Sequence, residues 1–136
     1  LIADGLHVCA ELFEPLCRLV GTDRLILITD SIRAGGLPDG EYAFAGGTVR
    51  VDKGLPVQPD GTIAGSSLTM NHAVRNFWRA TSRPLSEVVG MASHNPACLL
   101  GLTRKGSLDP GFDADIVCLD NDLDVVMTFV GGRRVG

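Results

Sequence analysis

The chain has 136 residues, of which 45% are hydrophobic and 21% charged, and its formal net charge is −4 at pH 7. These values suit one modest globular domain and give no reason to expect nucleic acid or an anionic membrane as a partner. No apolar run approaches the roughly 20 residues that span a bilayer.

Two apolar segments near the start of the chain each lead to a polar residue. Residues 1–8 carry His7, and residues 25–30 end at Asp30. A helix-length segment separates them, which predicts a strand–helix–strand order typical of parallel α/β folds. Catalytic groups in such folds lie where strands end, so Asp30 is a candidate general base, with a helix cap or loop anchor as the alternative. Because a chain opening inside an apolar strand needs neighbouring strands, we expect a carboxyl-terminal piece of a larger protein.

Helical periodicity is clearest between residues 10 and 20. The apolar spacing there predicts one buried face, and Pro15 suggests that the regular helix starts near it. The members of this face are Leu12, Phe13, Leu16, Leu19 and Val20.

A β-rich insertion at about 41–65 follows Asp30. Tyr42 and Phe44 alternate with alanines, and Gly46-Gly47 is a hairpin signal. Beyond the insertion, Ser66 or Ser67 is the predicted cap of a helix that runs through Trp78.

The last third of the chain contains two shorter helices and then strands. Ser86 is the predicted cap of a helix that runs to about residue 94, and Pro96 the start of a short one over 97–100. Residues 114–119 and 125–130 read as strands, and Gly131-Gly132 as a tight turn into a return strand. We expect this tail to form a small β unit separate from the α/β part.

The four cysteines lack Cys-x-x-Cys spacing, which favours free thiols in a reducing cytoplasm over disulfides or a zinc site. His72 and His94 have no metal-ligand spacing either, and we assign them to structure or surface.

Several short motifs occur in an order and at spacings that are informative about the family. Asp-Gly-Leu-His at 4–7 and Gly-Ser-Ser-Leu-Thr-Met at 65–70 are the most specific, whereas Gly-Ser-Leu at 106–108 and Ala-Asp-Ile-Val at 114–117 suit many hydrolases of one superfamily. In order and spacing these motifs resemble the N-acetylglucosamine-6-phosphate deacetylases of the amidohydrolase superfamily. The resemblance covers essentially the whole chain.

The resemblance implies an α/β fold, a (β/α)₈ metal-dependent hydrolase barrel with a small β-sandwich. Residues 1–103 would supply the last two strands and helices of the barrel, including the insertion, and residues 104–136 strands of the sandwich.

The implied reaction is hydrolysis of the N-acetyl group of N-acetylglucosamine 6-phosphate to glucosamine 6-phosphate and acetate. Asp30 matches the catalytic aspartate, which would accept a proton from a metal-bound water and pass it to the departing amine. His7 would donate to a sugar oxygen or to the phosphate. The residues that match substrate-contacting segments are Asp4, Gly5, Leu6, His7, Ile63, Ala64 and Gly65.

The resemblance also implies a divalent metal, zinc or iron, whose glutamate and histidine ligands would lie upstream of this chain. We therefore expect these 136 residues alone to bind no catalytic metal and to be inactive. The expected partner is a small amino-sugar phosphate, with no nucleic acid and no membrane, and the family suggests a cytoplasmic homodimer.

Two alternatives stay open. Other amidohydrolases, such as cyclic amide hydrolases and nucleobase deaminases, share the aspartate and the β tail. The chain by itself could also be a non-catalytic structural or binding piece.

Overall fold

A computed structural model describes all residues from 1 to 136 and combines helices with two small antiparallel sheets. A 3₁₀ turn at Ala10–Leu12 leads into the first helix. The helices are α1 (Phe13–Val20), α2 (Met70–Arg79), α3 (Leu85–Ala92) and α4 (His94–Leu99), and the strands are β1 (Gly40–Phe44), β2 (Gly47–Asp52), β3 (Leu55–Val57), β4 (Ile116–Leu119), β5 (Val125–Val130) and β6 (Arg133–Val135). None of the helices is both long and apolar enough to cross a bilayer.

The predicted strand over residues 1–8 is wrong beyond its first residues. Only Ile2 pairs, in a parallel bridge with Ile28. The Asp4 carboxylate accepts the backbone N–H groups of Leu6 and His7, each at 2.9 Å. A side chain that captures nearby N–H groups removes them from any strand ladder, so the backbone turns at this point.

The second apolar segment is extended but buried on one face only. Leu25 and Leu27 are buried, whereas Ile28 is 47% exposed. The Leu27 N–H donates to the carbonyl oxygen of Met91 at 2.9 Å, so this segment also contacts the end of α3. A positive φ of 50° at Asp30 then ends the extended run.

Helix α1 starts two residues before Pro15, so the proline lies in the first turn, where backbone N–H groups have no helical partner. The predicted buried face is partly wrong. Phe13 and Cys17 are the buried positions, whereas Leu12 is 50% and Leu19 83% exposed. The face is narrower than expected because an i, i+4 pair points inward and the flanking leucines lie outside it.

The insertion forms a three-stranded antiparallel sheet in the order β1-β2-β3. The sequence predicted its β structure and first hairpin, but not strand β3. The first turn is Ala45-Gly46, one residue earlier than the Gly46-Gly47 signal, because Phe44 pairs with Gly47. Both turn residues have positive φ, 46° and 82°, which matches the right-handed twist of a tight hairpin.

Three predicted helix starts differ in the structure. Thr69 rather than Ser66 or Ser67 precedes α2, and Pro84 rather than Ser86 precedes α3. Helix α4 begins at His94, so Pro96 lies inside its first turn. The hydroxyls of Ser66 and Ser67 donate instead to the carbonyl oxygens of Thr29 and Gly54, and Ser86 lies inside α3.

The core lies between α1, α2 and α3. The rings of Phe13 and Phe77 are both fully buried and stack with centroids 4.8 Å apart and planes 14° from parallel. Val88 and Met91 of α3 and Leu27 belong to the same cluster of 11 buried residues. Helices and the extended segments thereby share one core.

The tail forms a second antiparallel sheet in the order β4-β5-β6, and the predicted Gly131-Gly132 turn is confirmed. This unit contacts the main core, and its division from the α/β part stays a prediction. Leu123 is buried in the main core, and its carbonyl oxygen accepts the Asn71 side-chain N–H at 3.0 Å. Asp124 beside it pairs with Arg75.

Candidate functional site

The two segments that carry the candidate aspartates lie side by side and parallel. Ile2 bridges Ile28, and the Ile28 N–H donates to the Leu1 carbonyl oxygen at 3.0 Å. Asp4 and Asp30 each stand two residues beyond this bridged pair. Both chains therefore leave the pairing at the same edge, where parallel α/β folds carry their active sites.

A third segment joins on the other side of Asp30. Ser31 and Ser66 form a parallel bridge, with the Ser66 N–H donating to the Asp30 carbonyl oxygen at 2.8 Å. The Ile32 N–H returns a bond to the Ser66 carbonyl oxygen at 3.0 Å, and the Ser66 hydroxyl donates to the carbonyl oxygen of Thr29. The long insertion is thus closed at its base, and this closure holds the backbone around Asp30.

Gly65 touches Asp30 closely. A Cβ at Gly65 would lie 2.7 Å from the Asp30 carbonyl oxygen, 2.7 Å from Cγ2 of Ile32 and 3.6 Å from the Asp30 carboxylate. Only glycine allows this approach, and its φ of 67° suits glycine as well. The structure therefore brings the predicted 63–65 segment into contact with Asp30. Asp30 itself is exposed.

Asp4 and His7 form a compact pair. One Asp4 oxygen accepts the two backbone N–H groups, and the other lies 2.6 Å from Nδ1 of His7. Burial acts to raise the pKa of Asp4, but the hydrogen bonds from the His7 and Leu6 backbone and from the His7 ring outweigh it and hold that pKa below its ordinary value. Asp4 is therefore ionised at neutral pH.

Gly5 and Leu6 are exposed at the tip of this turn, Leu6 by 59%. Ile63 is 42% exposed, whereas Ala64 is buried. Of the predicted contact residues, Gly5, Leu6 and Ile63 thus expose surface, whereas Ala64 is buried and its N–H donates to the Pro56 carbonyl oxygen at 3.0 Å.

Asn76 supports the Asp4 turn, and sequence reasoning gave it no role. Its side-chain N–H donates to the Ala3 carbonyl oxygen at 2.9 Å, directly before Asp4. The sequence carried no signal for this role, because Asn76 is an exposed residue of α2 and an exposed amide does not require a protein partner.

The histidines outside this site have ordinary partners. Nε2 of His72 lies 3.9 Å from Asp124, and Nε2 of His94 lies 3.4 Å from the Cys98 sulfur. No group of three or more histidine, cysteine, aspartate or glutamate side chains is arranged to hold a metal ion.

A family model, related sequences and solved structures all place this chain among similar proteins. The sequence model described as the amidohydrolase family matches residues 19–135. An N-acetylglucosamine-6-phosphate deacetylase of Lysinibacillus sphaericus is 44% identical over 98% of this chain and 34% of its own length. A putative N-acetylgalactosamine-6-phosphate deacetylase of Escherichia coli K12 is 40% identical over 98% of this chain and 80% of its own length.

Among solved structures, the N-acetylglucosamine-6-phosphate deacetylase of Thermotoga maritima superposes with a TM-score of 0.92 at 39% identity, covering 98% of this chain and 37% of that one. These likenesses confirm the resemblance predicted from the motifs. The chain spans about a third of the length of the first curated relatives it matches.

Proposed function

The chain belongs to the amidohydrolase family, and we propose that the full-length protein hydrolyses the N-acetyl group of N-acetylglucosamine 6-phosphate to glucosamine 6-phosphate and acetate. The observation that carries the proposal is the likeness to deacetylases of this substrate along nearly the whole chain, with 44% identity in sequence and a TM-score of 0.92 in structure. The exposed Asp30 at the shared edge of three parallel segments supports it independently.

Asp30 is the proposed catalytic residue. Its carboxylate accepts a proton from the attacking water as the new C–O bond forms at the acetamide carbon. The same proton then passes to the nitrogen as the C–N bond breaks, which releases acetate and the free amine. One group can act as base and then as acid because it keeps the proton that it accepted until the nitrogen takes it. The bond from the Ser66 N–H to the Asp30 carbonyl oxygen helps to position this group.

The proposed substrate contacts come from the two segments that flank Asp30. The turn over residues 4–7 presents His7, and the segment over 63–65 presents backbone at a place where Gly65 permits close approach. The residues assigned to the substrate are Asp4, Gly5, Leu6, His7, Ile63, Ala64 and Gly65.

The proposed domain division follows the fold. Residues 1–103 would form the carboxyl-terminal part of a (β/α)₈ barrel, and residues 104–136 strands of a small β-sandwich. Parallel bridges around residues 2, 28, 31 and 66 support the first part, and the antiparallel β4-β5-β6 sheet supports the second.

The donor groups of this chain do not fit a metal site, because Asp30 has no second or third ligand beside it. We propose that the zinc or iron implied by the family resemblance is held by residues outside 1–136.

The four free cysteines support the proposed cytoplasmic location. The homodimer stays a prediction.

A second substrate deserves equal testing. Two relatives at 40% identity are named as deacetylases, one of them putative, of N-acetylgalactosamine 6-phosphate. The two sugars differ only in the configuration of one ring hydroxyl, so the catalytic roles above apply to both.

The test measures, for the full-length protein, acetate release from each sugar phosphate, ring opening of a cyclic imide and ammonia release from adenine. We expect a sugar phosphate to be the substrate and Asp30→Asn to lower kcat by at least about 100-fold, because a group that is both base and acid contributes this much. Asp39→Asn is the control, since Asp39 accepts only backbone N–H groups within the insertion. An Asp30→Asn enzyme with unchanged kcat would refute the assignment, and turnover of the imide or of adenine alone would refute the substrate.

A further inference from the structure

We propose that Asp4 is a positioning residue that fixes the tautomer and the direction of the His7 ring, so that Nε2 of His7 faces the substrate as a hydrogen-bond acceptor while the ring is neutral. This inference rests on the proposed function, in which His7 contacts the substrate. It refines the roles proposed above, since Asp4 then acts on the substrate through the His7 ring rather than by direct contact, and the neutral ring accepts a hydrogen bond rather than donating one.

Asp4 has little capacity left for a ligand. Its side chain is 10% exposed, and that of His7 is 22% exposed. A carboxylate offers about four acceptor positions. The Leu6 N–H, the His7 N–H and the His7 ring occupy three of them. The hydrogen-bonding capacity of the Asp4 carboxylate is thus largely used within the turn over residues 4–7.

The bond between Asp4 and the His7 ring determines where the proton is. An ionised carboxylate only accepts hydrogen bonds, so the hydrogen in the 2.6 Å contact belongs to Nδ1 of His7. In the neutral ring Nε2 then carries the lone pair. It can accept from a sugar hydroxyl, whereas a phosphate or acetamide oxygen can be met only by the doubly protonated ring.

Three hydrogen bonds constrain the turn in a way that suits this role. The backbone N–H bonds to Asp4 tie the His7 main chain to the same carboxylate that orients its ring. Asn76 holds the Ala3 carbonyl oxygen at 2.9 Å and so anchors the turn to α2. Main chain and ring are therefore oriented together.

The substitution Asp4→Asn separates the effect on the tautomer of the His7 ring from any effect on the conformation of the turn. The asparagine oxygen can still accept the backbone N–H groups, but its NH₂ group would face Nδ1 of His7 and donate to it. The ring must then carry its proton on Nε2. Asparagine in place of an orienting aspartate leaves the geometry intact and favours the wrong tautomer.

The experiment uses full-length protein labelled with ¹⁵N-histidine, at a pH of about 8 where unperturbed imidazoles are neutral. Long-range ¹H–¹⁵N spectra distinguish the two tautomers, and His7→Gln identifies the signals. We expect protonated Nδ1 in the wild type and protonated Nε2 in Asp4→Asn, together with at least a tenfold loss of kcat/KM for the sugar phosphate. Asp60→Asn is the matched control, because Asp60 accepts the Thr62 N–H at 2.9 Å in the same kind of turn without a histidine.

A neutral His7 protonated on Nε2 in the wild type would overturn the proposal. This measurement does not depend on whether the Asp4→Asn protein folds. An unchanged tautomer or unchanged kcat/KM in a folded Asp4→Asn protein would also overturn it. If the tautomers behave as expected but no acetate is released from any sugar phosphate, the positioning stands and the proposed function fails.

Discussion

Gly65 lies against Asp30 so closely that a Cβ on the glycine would stand 2.7 Å from the aspartate carbonyl oxygen. The return segment of the insertion is therefore in contact with the backbone of the candidate catalytic residue. A side chain at Gly65 must displace Asp30, Ile32 or itself. This contact links an exposed carboxylate to a chain segment 35 residues further on.

Gly65→Ala should consequently damage both stability and activity. Alanine at positive φ costs about 1–2 kcal/mol, and the overlap with Asp30 adds about 1–3 kcal/mol. Gly61→Ala is the control, because Gly61 has a φ of 88° but nothing within 4 Å of its Cβ position. Urea unfolding of the full-length variants, with kcat measured on each, checks this. Equal losses in the two variants would show that the close approach is unimportant.

The Asp4 carboxylate should stabilise the fold in a pH-dependent way. Its pKa in the folded protein is held below the ordinary aspartate value of 3.8, so its stabilisation is complete above that value and is lost as the pH falls through the lowered pKa. Above pH 3.8 the wild type should exceed Asp4→Asn in free energy of unfolding by about 1–3 kcal/mol. Urea titrations at several pH values should show this difference shrinking in acid; a difference that grows in acid would contradict the bonding described.

The stacked pair of Phe13 and Phe77 should make a large contribution to the free energy of unfolding. Phe13→Ala removes a fully buried ring from a contact of 4.8 Å and is expected to cost about 3–5 kcal/mol of unfolding free energy. Leu19→Ala on the same helix should change it by less than about 0.5 kcal/mol, because Leu19 is 83% exposed. Denaturant unfolding compares the two, and similar losses would mean that α1 is packed by its other face.

Thiol reactivity should separate the four free cysteines. Cys9 and Cys98 are exposed, Cys118 is half-buried, and burial raises the pKa of the buried Cys17. A thiol-specific reagent should therefore modify Cys9 and Cys98 first and Cys17 only on unfolding. Peptide mapping after timed exposure tests the order. Early modification of Cys17 in the native protein would show that α1 opens readily.

Local features of the chain were readable from the sequence. The hairpin in the insertion, with its turn one residue out, and the Gly131-Gly132 turn were predicted because turn chemistry depends on the few residues that make the turn. The helices were found from periodicity, which is also local, although Thr69 and Pro84 replaced the expected capping serines. The order of the motifs was enough to identify the family.

The tertiary structure alone decided which of these features meet. The pairing of Ile2 with Ile28, the closure of Ser66 on Asp30 and the bond from Asn76 to Ala3 join residues 26 to 73 positions apart. No local preference specifies such contacts, because they depend on how the elements pack around Phe13 and Phe77. The sequence therefore supplied the candidate residues of the site other than Asn76 and the local turn that joins Asp4 to His7. The closure of Ser66 on Asp30 and the close approach of Gly65 came from packing and hydrogen bonding across the fold.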